Sequence, residues 1–199
     1  GMAALAAALV MGKRVGFPKT VSPPHHLPFA VLGAGLLWFG WFGFNAGSAL
    51  GANGLAVNAF VATHIGAAAA GLAWSVMDWF YAKRPTVLGM ITGAVAGLVA
   101  ITPACGFVSP LDAIWIGLGS GVICYFFVSI VKAKLGYDDT LDAFGVHGIG
   151  GIWGALATGI WSNTAINSAG ANGLAYGNPG QFIIQLKATL ITMAYSFVV

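Results

Sequence analysis

Five stretches of this chain are apolar over the length of a membrane crossing. They cover residues 27–50, 55–82, 87–104, 111–131 and 143–161. A helix needs roughly 20 such residues to span the hydrocarbon core. Charge is correspondingly scarce, at 7% of residues against about 25% in a soluble domain. Eight basic and five acidic side chains cannot solvate the surface of a 199-residue globule. With 58% hydrophobic residues and a mean hydropathy of +0.87, the chain reads as an all-α polytopic membrane protein. That excludes a soluble enzyme, a nucleic-acid binder and a disordered chain. The isoelectric point near 9.0 reflects eight bases against five aspartates, not a basic patch.

Two further apolar pieces flank these stretches, at residues 1–12 and 181–199, and both are expected to be partial spans. The first lacks a charged leader and is too short to cross alone, so it makes a poor signal peptide. The chain is therefore expected to be a segment of a longer protein. Seven segments leave six loops, and the basic residues sort among them. Lys13, Arg14 and Lys19 fall in the first loop, Lys83 and Arg84 in the third, and Lys132 and Lys134 in the fifth. The second, fourth and sixth loops hold none. Under the positive-inside rule, the loops near Lys13, Lys83 and Lys132 are expected to be cytoplasmic in a multi-pass cell-membrane protein. Lys187, inside the last segment, is expected to snorkel toward the outer interface.

Small residues recur at helical spacing. Gly89, Gly93 and Gly97 lie on one face, as do Gly117 and Gly121. In lipid such faces let backbones approach closely, so they predict a tight bundle and carry no chemistry. Cys105 and Cys124 form neither a disulfide framework nor a metal motif, and no metal ligand set, catalytic group or cofactor is expected. Asp112, beside Pro110, reads as a helix cap, and so does Asp142 before Phe144. Asp78 reads as interfacial, and His25 and His26, after the Pro23-Pro24 pair, as solvated. His64 has an interhelical hydrogen bond as its plainest reading.

Two features admit chemistry beside a structural role. Trp38, Phe39, Trp41, Phe42 and Phe44 form a dense aromatic run. A lipid-interface belt accounts for it. Yet Trp41, Phe44 and Ser48 share a helical face, where ring faces and a hydroxyl could hold a small cation. His147 is followed by Gly148, Gly150, Gly151 and Gly154. An α-helical count sets Gly150, Gly151 and Gly154 on its own face. That is either a helix contact with an incidental histidine or a histidine facing a narrow conduit. An ionisable group at membrane depth points to function by default.

Three motifs now stand together. Trp41-Phe42-Gly43-Phe44-Asn45-Ala46-Gly47-Ser48 is similar to a signature of the ammonium transporter (Amt/Mep/Rh) family. Thr102-Pro103-Ala104-Cys105-Gly106 is similar to a second signature, and Asp142-Ala143-Phe144-Gly145-Val146-His147-Gly148 to a third. They occur in the family's order, fit the Amt branch better than the Rh branch, and the resemblance covers essentially the whole chain. It implies the ammonium-transporter fold of eleven transmembrane helices with an inverted repeat. This chain would hold the second half, from the end of helix five to the start of helix eleven. It also implies a homotrimer with one pore per subunit, in a lipid bilayer, with ammonium or ammonia as cargo and a cytoplasmic PII-type signal protein as partner.

Carried over by position, the resemblance makes Phe44 one of two stacked phenylalanines closing the outer pore, and Ser48 part of the external cation-recruitment site. His147 becomes the second of two mid-pore histidines. Trp41, Thr92 and Thr102 would lie along or beside the pore, and Asp142 near the inner vestibule. The first pore histidine, the other gate phenylalanine and the aromatic partner of Ser48 fall outside these 199 residues. The implied activity is ammonium transport with deprotonation near the gate and conduction of ammonia past His147. An Amt-like sensor fused to a signalling domain and an Rh-type gas channel are the alternatives.

Overall fold

The computed structural model describes residues 1–20 and 24–199. Pro23 lies outside the described residues. Eight α-helices follow in order: α1 (Met2–Met11), α2 (Leu27–Asn45), α3 (Gly54–Ala82), α4 (Val87–Ile101), α5 (Pro110–Phe126), α6 (Lys132–Leu135), α7 (Ile149–Trp161) and α8 (Pro179–Val198). Two π-helical turns interrupt this plan. Phe127–Val131 joins α5 to α6, and Ala143–Gly148 leads into α7. Counting these continuations and the 3-10 turn Gly47–Ala49 after α2, five helices among the described residues are long and apolar enough to cross a membrane. The helix starts have local causes. His26 caps α2 by accepting from the Phe29 N–H, in addition to lying exposed, and Pro28 occupies the first turn. Ser109 and Asp112 form a reciprocal capping box on α5, with Pro110 at the start.

The core lies between α3, α4, α5 and α7. Helix α3 is the central post, and the glycine faces of α4 and α5 close on it from two sides. A methyl group at Gly93 would lie 2.5 Å from Trp74 Cβ and 2.9 Å from the Ala70 carbonyl oxygen. Gly97 of α4 and Gly117 of α5 both rest on the backbone of Gly66 in α3. Ala62, Ala67 and Ala70 of α3 are fully buried in this packing. Small residues permit the approach, and dispersion contacts then hold it, because lipid supplies no hydrophobic drive between helices. The outward faces carry exposed Phe29, Phe39, Trp79, Trp115 and Ile191, as suits a surface meant for an apolar solvent.

The connections pair at the two ends of the bundle. At one end Arg14, in the connection after α1, donates from its backbone N–H, Nε and Nη2 to Asp138, in the connection after α6. At the other, the Asn163 N–H donates to the Phe107 carbonyl at 2.8 Å, joining the connections after α7 and α4. Asn58 in the first turns of α3 donates to the carbonyls of Cys105 and Val108 at that same end. Asp78, read as interfacial, lies in the last turns of α3. It is buried, and its carboxylate accepts from the Thr86 N–H and hydroxyl, fastening the short turn between α3 and α4.

Candidate functional site

The aromatic run at the end of α2 divides between two surroundings. Phe39 is 77% exposed on the outside of the bundle, which fits a belt. Phe42 stacks on Phe60 of α3, with ring centroids 4.0 Å apart. Trp41 turns the other way. Its Nε1 donates to Thr102 Oγ1 at 2.7 Å, and Thr102 in turn donates to the Leu98 carbonyl. Its ring meets Phe44 edge-on at 5.7 Å. After Asn45 the helix tightens into the 3-10 turn Gly47–Ala49. Within that turn Ser48 Oγ donates to the Phe44 carbonyl at 2.6 Å. Phe44, Ser48 and Thr102 border one cavity of about 330 Å³, which Pro103 and Asn167 also line.

Asn45 is the one buried residue of α2, and its Nδ2 donates to Thr63 Oγ1 at 2.9 Å. That bond pins the end of α2 to α3 directly behind Phe44. Neither Asn45 nor Thr63 stands out from composition alone. His64, the neighbour of Thr63, makes no hydrogen bond among the described residues. It lies against the Trp38 ring at 5.4 Å instead.

At the opposite end a cavity of about 640 Å³ is bordered by Arg14, Thr92, Lys132, Asp142, Val146 and His147. Thr92 has its hydroxyl hydrogen committed to the Leu88 carbonyl. His147 is exposed, and it also borders a second cavity of about 540 Å³ with Gly151, Gln185 and Thr189. The sequence-predicted residues thus gather in two groups, Trp41, Phe44, Ser48 and Thr102 in one and Thr92, Asp142 and His147 in the other.

The comparison with known proteins matches this arrangement along its full length. The profile described as the Ammonium Transporter Family matches residues 1–199. The chain belongs to this family. It is 50% identical to an ammonium transporter of Bacillus subtilis over 199 residues, which is all of this chain and 49% of that protein. It is also 50% identical to the ammonium transporter Amt1 of Archaeoglobus fulgidus over 200 residues, covering 100% of this chain and 50% of that protein. Among solved structures it superposes on Saccharomyces cerevisiae Mep2 with a TM-score of 0.91 at 37% identity, covering 99% of this chain and 47% of that one. A structure titled Sensor Amt Protein gives a TM-score of 0.87 at 32% identity, covering 98% and 49%. The chain spans about half the length of the curated relatives it matches. It is an all-α, multi-pass membrane protein with the ammonium-transporter fold.

Two expectations near His147 need correction. Asp142 is not the side-chain cap of the helix that follows. Its backbone is left-handed, at φ 54° and ψ 26°, a conformation that aspartate tolerates better than most residues. That bend turns the carboxylate toward the Lys132 ammonium, with which it pairs. The cap comes from Asp139, whose Oδ2 accepts from the N–H groups of Phe144 and Gly145 at 2.8 and 3.0 Å. The glycine face is the second correction. A methyl on Gly150 would meet Cys124 Sγ at 3.3 Å and Val99 Cγ1 at 3.4 Å, and Gly154 packs on the Ala100 backbone. Of the three glycines predicted to share its face, Gly151 alone borders a cavity with His147. The wider π turn rotates His147 relative to α7, so a count at 3.6 residues per turn misplaces the two faces.

The charges of Arg14, Lys132 and Asp142 around the 640 Å³ cavity are paired. The Arg14 guanidinium holds the Asp138 carboxyl below the usual carboxylate range, through hydrogen bonds that outweigh the opposing effect of burial. Burial pushes the Asp142 carboxyl up, and the Lys132 ammonium pulls against it. Asp138, Asp139 and Arg14 escaped the sequence reading as a group. The adjacent Asp138-Asp139 pair was the available signal. Its partners lie 124 residues away for one carboxylate and five to six residues away for the other, and neither separation is a local capping distance.

Proposed function

We propose that the protein conducts ammonium across the membrane, recruiting the cation at the Phe44–Ser48 cavity and passing ammonia by His147. The observation that carries this reading is the hydrogen bond from Ser48 Oγ to the Phe44 carbonyl. It commits the hydroxyl hydrogen, so the oxygen lone pairs remain as acceptors at the cavity. Ammonium donates from N–H groups, whereas potassium, of the same charge and similar size, has nothing to donate. An acceptor beside aromatic faces therefore favours ammonium.

A bare cation that left this cavity for the apolar interior would suffer a large loss of hydration. Ammonium breaks one N–H bond near the gate, its proton passes to water or to an imidazole, and neutral ammonia continues. A neutral imidazole at His147 accepts from the passing molecule without repelling it. Trp41 and Thr102 brace the outer cavity, and Thr92 and Asp142 border the inner one. The loops near Lys13, Lys83 and Lys132 face the cytoplasm. The protein assembles as a homotrimer and meets a PII-type partner on that face.

The test is ammonium-induced current and uptake in proteoliposomes, with potassium as competitor. Ser48→Ala is expected to weaken uptake mainly at low ammonium, since one hydrogen bond contributes about 0.5–1.5 kcal/mol. His147→Ala is expected to abolish uptake or to leak potassium while assembly persists. Wild-type currents and selectivity in both variants would sink the reading. Similarity to a structure titled as a sensor supports a second reading, in which binding matters more than flux. Tight ammonium binding with turnover far below that of a transporter, on the same samples, would select it.

A further inference from the structure

We propose that Asp139 is a positioning residue for His147, acting through the π-helical turn Ala143–Gly148. The inference rests on the role given to His147 above, and it concerns what holds that ring in place. A π turn is rare because its wide spiral is inferior to the α form unless something outside it supports it. Here the support is visible. With the Asp142 side chain drawn off to Lys132, the first N–H groups of the turn need another acceptor. Asp139 Oδ2 takes the two from Phe144 and Gly145. An anionic acceptor at that end makes both bonds charge-assisted and suits the dipole of the turn.

Asp139 is itself fixed. It is 4% exposed, and its carbonyl accepts from Lys132 Nζ at 3.4 Å and from the Asp142 N–H at 3.2 Å. The preceding residue, Asp138, is tied to Arg14. From the other side, Gly145 sits against Val128 in the π turn of the neighbouring helix. A methyl on Gly145 would come within 2.6 Å of Val128 Cγ2. The turn is therefore held from two directions, and His147 lies two residues beyond the last amide that Asp139 grips. Without that grip the turn relaxes toward α geometry, and His147 rotates away from the inner cavity that it shares with Thr92 and Val146.

The experiment uses the natural gene product in lipid nanodiscs and proteoliposomes, with Asp139→Ala, Asp139→Asn and, as a control cap elsewhere, Asp112→Ala. Ammonium-induced currents are read as maximal rate against apparent KM. Nitrogen-15 histidine spectra report the ring environments, with the His147 signal assigned from His147→Ala. Asp139→Ala is expected to lower the maximal rate about tenfold or more, since small misplacements of a reacting group are costly. Apparent KM is expected to hold, because Ser48 and Phe44 lie at the far end. The His147 signal shifts while that of His64 stays. Asp139→Asn recovers most of the rate, its amide oxygen accepting from the same two N–H groups. An unmoved His147 signal in Asp139→Ala, all histidine signals moving together, or Asn no better than Ala would each overturn the proposal. If His147→Ala itself conducts as wild type, the role of His147 fails separately, and the His147 signal in Asp139→Ala still decides whether Asp139 positions it.

Discussion

Trp41 Nε1 donates to Thr102 Oγ1 at 2.7 Å, joining residues 61 apart in the chain. The bond ties the C-terminal end of α2 to the turn after α4, at the border of the cavity lined by Phe44 and Ser48. Thr102 commits its only hydrogen in the process, since it donates to Leu98. It acts as a brace for the indole, and the indole in turn sets the edge against which Phe44 packs.

Thr102→Val keeps the shape and removes both bonds. The Trp41 N–H is then left half-buried without a partner, at a cost of about 1–3 kcal/mol. Thermal unfolding in detergent should show the loss. Phe44 should also become mobile, which quenching of Trp41 fluorescence by small solutes would register as easier access. Unchanged stability and quenching would mean that the brace is dispensable.

Gly97 and Gly117 meet on one α3 residue, so bulk at either separates helices that all others rely on. Gly117→Leu is expected to destabilise by more than the ~1–3 kcal/mol usual for overpacking, because the contact is with backbone that cannot give. The yield of folded protein by size-exclusion chromatography is the readout. Gly151→Ala, where a methyl meets open space, is the contrast and should behave as wild type.

Acid should loosen the Arg14–Asp138 tie in a defined direction. The folded-state pKa of Asp138 is depressed, so its contribution is fully present above the unfolded value of about 3.9 and is lost as pH falls through the folded value. The stability difference between wild type and Asp138→Asn should then be flat from neutral pH down to about 5 and shrink below that. A difference that grew on acidification would reverse the assignment.

Orientation can be read chemically. Single cysteines replacing Lys83 and Lys134 should resist membrane-impermeant maleimide in intact cells, whereas cysteines replacing Ser168 and Asn172 should react. The Arg14–Asp138 and Asn163–Phe107 contacts set the first and fifth connections at one end and the fourth and sixth at the other, and the positive-inside rule predicts that the base-bearing end is cytoplasmic. Labelling at Lys83 with protection at Ser168 would invert the protein.

Much of the molecule is legible from a short calculation on the chain. Apolar length and the placement of Lys13, Lys83 and Lys132 are enough for an all-helical, multi-pass membrane protein, because a bilayer tolerates no unpaired backbone and few charges. The glycine spacing announces close packing, though not that Gly97 and Gly117 converge on Gly66. Three motifs indicate the family and its candidate residues. What escaped is whatever depends on leaving regular geometry or on contacts between distant residues. Asp142 looked like a cap, and the left-handed bend that withdraws it exists only once Lys132 is beside it. Asp139 took its place from three residues further upstream, reaching the Phe144 and Gly145 amides because the chain folds back before the π turn. The face of His147 was misjudged because periodicity assumes one pitch, and packing against Val128 imposes another. Sequence by itself determined the solvent this protein lives in and the helices it makes, since transfer and backbone energies are local sums. The rotation of His147 and the bond from Trp41 to Thr102 were decided by tertiary structure, because each depends on a partner placed by the rest of the fold.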